Sequence, residues 1–274
     1  MLSTPGEIAN NYIGIGKKKV AMRADKMFLL AVMAGIYIAV AGCGASTAAC
    51  TVGGSAGKLV GACIFPAGLT LVLLAGSELF TGNCLLAIPL LSREITLSGM
   101  LRNWLIVYLG NFTGSILVAW MVAYSHQLSL FDGQLAAAAV GTAAAKVSMP
   151  FWDAFLKGIL CNLLVCLAVW ASFAAKDAAG KVIALFYPIV VFVVCGFEHS
   201  VANMFYCPVG LFAAGLPEYA TAITTDISRL TWGNFLFGNL LPVTLGNIVG
   251  GSVFVGAVYW WVYCGNAKNS TEGK

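Results

Sequence analysis

The stretch GFEHSVANMF spans Gly196–Phe205 and directly follows the apolar run ALFYPIVVFVVC, Ala184–Cys195. Without Glu198 and His199, residues 181–208 would read as one membrane-crossing helix. A glycine, a carboxylate and an imidazole in succession at that depth mark an interruption. Irregular backbone and ionisable side chains are tolerated inside a bilayer only where protein or a water-lined cavity covers them. The stretch therefore predicts a broken helix turned toward the protein interior.

The rest of the chain agrees with a membrane setting. Of 274 residues, 60% are hydrophobic and only 9% charged, against about a quarter charged in a soluble domain. No segment is polar and long enough for a second soluble domain, so residues 1–274 read as one membrane domain. Residues 1–26 are polar and basic, which argues against a cleaved leader, because the first apolar run begins only at Met27. A formal net charge of +4 is too small to indicate a nucleic-acid partner. The nine cysteines, Cys43, Cys50, Cys63, Cys84, Cys161, Cys166, Cys195, Cys207 and Cys264, lie mostly within apolar runs and never as CxxC. They read as small apolar side chains, with no metal site and no cofactor implied.

Apolar runs of about 20 residues, the length a bilayer demands, predict six spans. These are Met27–Thr47, Lys58–Ile88, Met100–Tyr124, Phe151–Ala175, Lys181–Pro208 and Trp232–Cys264, of which the second and fifth carry polar interruptions. Six spans put both termini on one side. That side would hold Lys17, Lys18, Lys19, Arg23, Lys26, Arg93, Arg102, Lys176, Lys181, Lys268 and Lys274, and the other only Lys58, Lys146 and Arg229. The positive-inside rule then predicts a cytoplasmic segment at 1–26, the spans within 27–264, and a cytoplasmic tail at 265–274.

GSELFTGNC, from Gly76, aligns with GFEHSVANM, from Gly196, matching Gly76, Glu78 and Asn83 to Gly196, Glu198 and Asn203 at a constant offset of 120. LGNFTGS from Leu109 echoes LGNIVGG from Leu245. The echoes fall in spans two and five, then three and six, as two copies of a three-span unit require. An odd number of spans per copy inverts the second copy, so an all-α fold of two inverted three-helix repeats is expected, with spans 2 and 5 interrupted. Each half-helix beginning after a break offers a partial positive charge that suits a small anion.

The motifs GSELFTGN, GILCNLLVCLAVW (from Gly158), GFEHSVANMF and LPVTLGNIVGG (from Leu241), in that order, resemble the formate/nitrite transporter family of small-anion channels. The similarity runs from about Gly14 to Cys264. It implies an aquaporin-like protomer of six helices, assembled as a homopentamer with one pore per protomer in the inner (plasma) membrane of a bacterium or its equivalent. Formate, nitrite and hydrosulfide are the implied substrates, together with protons. Carried over by motif, Thr81 is the threonine of the loop that breaks span two and His199 the central pore histidine. Asn247 is the asparagine near it, Asn162 a polar residue of span four, and Lys146 the vestibule lysine. Phe65, Leu69, Leu79, Phe80, Val165 and Phe192 match positions that line or neighbour constrictions. One departure is visible: formate channels of enteric bacteria carry two histidines soon after the vestibule lysine, whereas KVSMPFWDAF has Ser148 and Met149.

Individual residues are then read as follows. His199 faces the pathway as a hydrogen-bond or proton donor rather than a fixed cation. Glu78 and Glu198 would repel an anion, so they read as scaffold, turned away to accept from N–H groups freed at each break. Thr81 is expected to touch the substrate or His199 while capping the half-helix after it, and Lys146 to attract anions. Asp153 and Lys157, four apart on one helical face, are expected to pair. His126 lies in the loop after span three.

Together these readings predict a channel for a small monovalent anion, formate first. Moving a bare anion into an apolar medium costs tens of kcal/mol, while the neutral acid costs only a few, so passage is expected to be proton-linked. Nitrite or hydrosulfide is the alternative within the family. A neutral-solute channel of the aquaporin type is the alternative class, although the paired Asn-Pro-Ala signatures are absent. An enzyme would need a nucleophile with a base or a metal cluster, and no such partner for His199 is visible.

Overall fold

The computed structural model describes residues 2–265. The predicted tail with Lys268 and Lys274 lies outside them. Among the described residues the chain is helical with no strand. The helices are α1 (Pro5–Ala21), α2 (Ala24–Val52), α3 (Gly54–Gly76), α4 (Phe80–Leu91), α5 (Leu97–Tyr124), α6 (Gln134–Val147), α7 (Phe151–Ala174), α8 (Ala178–Cys195), α9 (Ser200–Ala214) and α10 (Asn234–Tyr263). Six of them, α2, α3, α5, α7, α8 and α10, are long and apolar enough to cross a bilayer. α4 and α9 complete the second and fifth spans after the predicted breaks.

The two breaks have the same local cause. α3 ends on Gly76 with φ +79° and α8 is capped by Gly196 with φ +68°, a left-handed conformation that a side chain disfavours. Extended residues follow, and helix resumes at Phe80 and at Ser200.

Each copy turns out to be a five-helix unit, α1–α5 and α6–α10. α1 and α6 are the short helices that precede the first span of each copy, and neither was expected as an element. α1 is started by a capping box between Thr4 and Glu7, with Pro5 in its first turn, an arrangement that satisfies the free N–H groups there.

Glycines bring the first and third spans of each copy into backbone contact. A Cβ at Gly110 or Gly114 of α5 would run into the carbonyl oxygens of Phe28 or Val32 on α2. A Cβ at Gly246 or Gly250 of α10 would run into those of Phe155 or Ile159 on α7. With no hydrophobic drive between helices in lipid, such small-residue seams supply the packing. The same seam is built twice, at matching positions of the two copies.

Asp153 and Lys157 form no ion pair among the described residues, and Asp153 is exposed. This corrects the expectation, and the reason is energetic. An i, i+4 pair is worth only about 0.3–0.5 kcal/mol, too little to hold two flexible side chains together. His126 is exposed and approaches Glu218 Oε1 at 3.6 Å.

Candidate functional site

Where a helix restarts, its first N–H groups lack partners, and in an apolar core each must find one. At the first break the N–H of Phe80 donates to Asn111 Oδ1 at 2.9 Å. Asn111 Nδ2 donates to the carbonyls of Ala31 (2.7 Å) and Glu78 (2.9 Å). At the second break the N–H of Ser200 donates to Asn247 Oδ1 at 2.9 Å. Asn247 Nδ2 donates to Gly158 O (2.8 Å) and Glu198 O (2.9 Å). One fully buried asparagine thus ties each break to both neighbouring spans.

This revises two expectations. The N–H groups of Phe80 and Ser200 go to asparagines, and neither Glu78 nor Glu198 accepts one freed at its break. The amide hydrogens of Asn247 are committed to backbone carbonyls, so it holds the break in place and has no donor left for a solute. Asn162 is committed likewise, through Nδ2 to Asn247 O (2.7 Å) and Thr81 O (3.2 Å).

The glutamates, both buried, meet lysines and asparagines. Glu198 takes the Lys146 ammonium on both oxygens, at 2.8 and 2.9 Å, and Asn203 Nδ2 at 2.6 Å. Asn203 Nδ2 also donates to Asn239 Oδ1, and Asn239 donates to Lys146 O. The first copy repeats the circuit: Glu78 takes Lys19 (2.7 Å) and Asn83 (2.7 Å), Asn83 also reaches Asn103, and Asn103 approaches Lys19 O. Lys19 closes α1 as Lys146 closes α6. Lys146 is therefore a paired charge rather than a free one.

Lys19, Asn103, Asn111 and Asn239 were missed in the sequence. A signal existed, because Asn103 and Asn111 stand at the same spacing from Asn239 and Asn247 as the LGN echo does.

The scaffold is repeated, but the residues at its centre are not. Position 120 before His199 is Leu79, and position 120 after Thr81 is Val201. The two polar members meet: Thr81 Oγ1 lies 2.9 Å from His199 Nε2, and both residues are buried. His199 Nδ1 accepts the N–H of Ala202 at 3.0 Å, so the imidazole itself caps α9. A backbone N–H can only donate. Nδ1 must therefore be unprotonated, and the ring's hydrogen sits on Nε2, directed at Thr81 Oγ1. The threonine hydroxyl, having accepted, is free to donate its own hydrogen.

Two cavities border this contact: His199 lines one, and Leu79 and Gly82, the residues on either side of Phe80 and Thr81, line the other. The larger, about 270 Å³, is lined by His199, Phe65 and Phe192, with Lys58, Lys146, Glu198, Thr142, Ser46 and Tyr206 among its other lining residues. The smaller, about 50 Å³, is lined by Leu69, Leu79, Tyr12 and Lys19 among others. Phe65 and Phe192 meet edge to face at 5.7 Å, and Phe192 stacks on His199 at 5.9 Å. Four of the six residues matched to constrictions thus line a cavity, two on each side. Val165 is buried on α7 one turn from Asn162 and lines neither. Phe80 is turned elsewhere: it packs on Trp104 and Tyr108 and lines an apolar groove between α5 and α10. Alternation places it on the face opposite its extended neighbour Leu79, which faces the smaller cavity.

The family model described as "Formate/nitrite transporter" matches residues 6–261. A "Probable formate transporter" of Methanothermobacter thermautotrophicus is 39% identical, over 95% of this chain and 97% of its own. The "Formate channel FocA" of Escherichia coli K12 is 38% identical, over 96% of this chain and 95% of its own. Among solved structures, a "Pentameric formate channel with formate bound" matches with a TM-score of 0.79 and 37% identity, covering 88% of this chain and 97% of that one. An "FNT family ion channel" matches with a TM-score of 0.82 and 29% identity, over 93% and 98% of the two chains.

Proposed function

Because the chain belongs to the formate/nitrite transporter family, we propose that it conducts formate, each protomer of a homopentamer forming one pore in which a proton joins the anion beside Thr81 and His199. The observation that carries this reading is the single polar contact, Thr81 with His199, set between two cavities and flanked by Phe65 and Phe192 on one side and Leu69 and Leu79 on the other. The pentamer is supported by the likeness to a pentameric formate channel. The whole chain acts as one membrane domain and as a transporter rather than an enzyme. The lysine bias puts both termini in the cytoplasm of a cell whose inner membrane holds the protein, so the larger cavity opens outward. Nitrite and hydrosulfide, also small conjugate bases of weak acids, are further substrates to be ranked by competition.

The physical course of passage follows from the site. An anion leaving the larger cavity loses water, and the falling dielectric raises its affinity for a proton. Thr81 meets it with a hydroxyl hydrogen, which the His199 Nε2–H frees by donating to Thr81 Oγ1. His199 keeps its Nδ1 on the Ala202 N–H throughout, so it polarises the threonine and does not itself release a proton. The proton comes from the outside solution, passed as hydronium through water in the larger cavity, so the uptake of one formate consumes one external hydrogen ion and leaves no hydroxide behind. Two half-helix N-termini, those of α4 and α9, add positive potential at the same place. The protonated acid then crosses the apolar flanks at a cost of only a few kcal/mol.

The test is labelled formate uptake and glycerol-driven swelling in liposomes holding the purified protein. Saturable formate uptake without glycerol permeation is expected. Swelling in glycerol without formate uptake would instead make this a neutral-solute channel. His199→Asn keeps a side-chain acceptor for the helix cap and removes Nε2. It is expected to lower formate flux about tenfold or more, the equivalent of one charge-assisted hydrogen bond. Unchanged flux in that variant would remove His199 from the mechanism.

A further inference from the structure

The two vestibules are built from the same circuit yet differ in charge. In the smaller cavity the one lining lysine, Lys19, is held by Glu78 at 2.7 Å. In the larger cavity Lys146 is likewise held by Glu198, at 2.8 Å, and this pair contributes no net charge. One further ionic group lines the larger cavity. Lys58, on the first turns of α3, has no carboxylate within ion-pair distance among the described residues and is exposed at the lining. With His199 in its neutral tautomer, Lys58, Lys146 and Glu198 sum to a single positive charge, and the smaller cavity has no counterpart.

We propose that Lys58 captures the substrate: its free ammonium draws a monovalent, carboxylate-sized anion into the larger cavity and sets the concentration at which transport is half-saturated. Lys146 serves there chiefly to neutralise a buried glutamate. The hydroxyls of Ser46, Thr142 and Tyr206, which share the lining, offer the captured ion polar contacts on its way to Thr81. The inference rests on reading the chain as an anion channel.

The experiment is the initial rate of labelled formate uptake against formate concentration, at low and at high ionic strength, for the wild type, K58R, K58Q and K58E. One unpaired charge on a cavity lining acts on capture and is weakened by salt. The half-saturating concentration should rise about three- to tenfold in K58Q and further in K58E, stay near wild type in K58R, and leave the maximal rate within about twofold. Added salt should shift the wild type toward K58Q and barely move K58Q itself. A flat series on a working channel would overturn the role of Lys58 alone. So would a loss of maximal rate in K58R equal to that in K58Q, because charge would then not be what matters. A wild type that takes up no formate would overturn the channel reading and this inference with it.

Discussion

Lys146→Met is expected to destabilise the folded channel by about 3–5 kcal/mol, because it strands the Glu198 carboxylate in the core without its counter-charge. Glu198 keeps Asn203 Nδ2, which does not replace an ammonium held on both oxygens. Adding Glu198→Gln removes the orphaned charge, so the double variant should recover most of the lost stability. Thermal unfolding in detergent, followed by the loss of the monodisperse oligomer, reads both. If Lys146 were instead a free vestibule cation, the single variant would fold normally, its half-saturating concentration would rise, and Glu198→Gln would rescue nothing.

Asn247→Leu is expected to cost a similar amount by another route. It leaves the Ser200 N–H, Gly158 O and Glu198 O without the partner they share. A buried polar group stripped of its hydrogen bond costs about 1–3 kcal/mol; the Ser200 N–H and Glu198 O are stripped together, while Gly158 O keeps its helical donor within α7. Asn111→Leu removes the mirror-image set on Phe80, Ala31 and Glu78, and the two variants should fail alike. Unfolding midpoints and the yield of intact oligomer measure this. A stable Asn247→Leu protein that folds but does not transport would show the side chain to be a solute contact instead.

Much of the fold was legible because the chain repeats itself. GSELFTGNC against GFEHSVANM located both breaks to within a residue or two, since a left-handed glycine is the most economical way to end a helix there. The LGN echo already contained both capping asparagines. Their task was hidden all the same. An asparagine in an apolar span signals a need for partners without naming them. The glutamates were read as scaffold, and their surroundings agree with that, but the sequence could not say that lysines from two short helices would meet them. Lys19 and Lys146 occupy matching positions in dissimilar local sequences, GKKKVA and AAKVSM, so no echo betrays the relation. The packing of Phe80 on Trp104 and Tyr108 is not legible in the sequence, because a match to a position beside a constriction does not fix which face of an extended segment a side chain takes. His199 and Thr81 stand out in the sequence by resemblance and by the oddity of an imidazole in lipid. That the ring caps α9, and is thereby fixed as a donor through Nε2, required coordinates.

The decisive measurement is labelled formate uptake into liposomes at a fixed formate concentration and clamped membrane potential, from pH 5 to 8, with the leak of protein-free liposomes subtracted. The expected result is a rate that climbs steadily as the external pH falls, because protonation of the desolvating anion beside Thr81 limits its passage. A rate that stays level across those three pH units would mean that the bare anion crosses the apolar flanks unaided, contradicting the mechanism at its root.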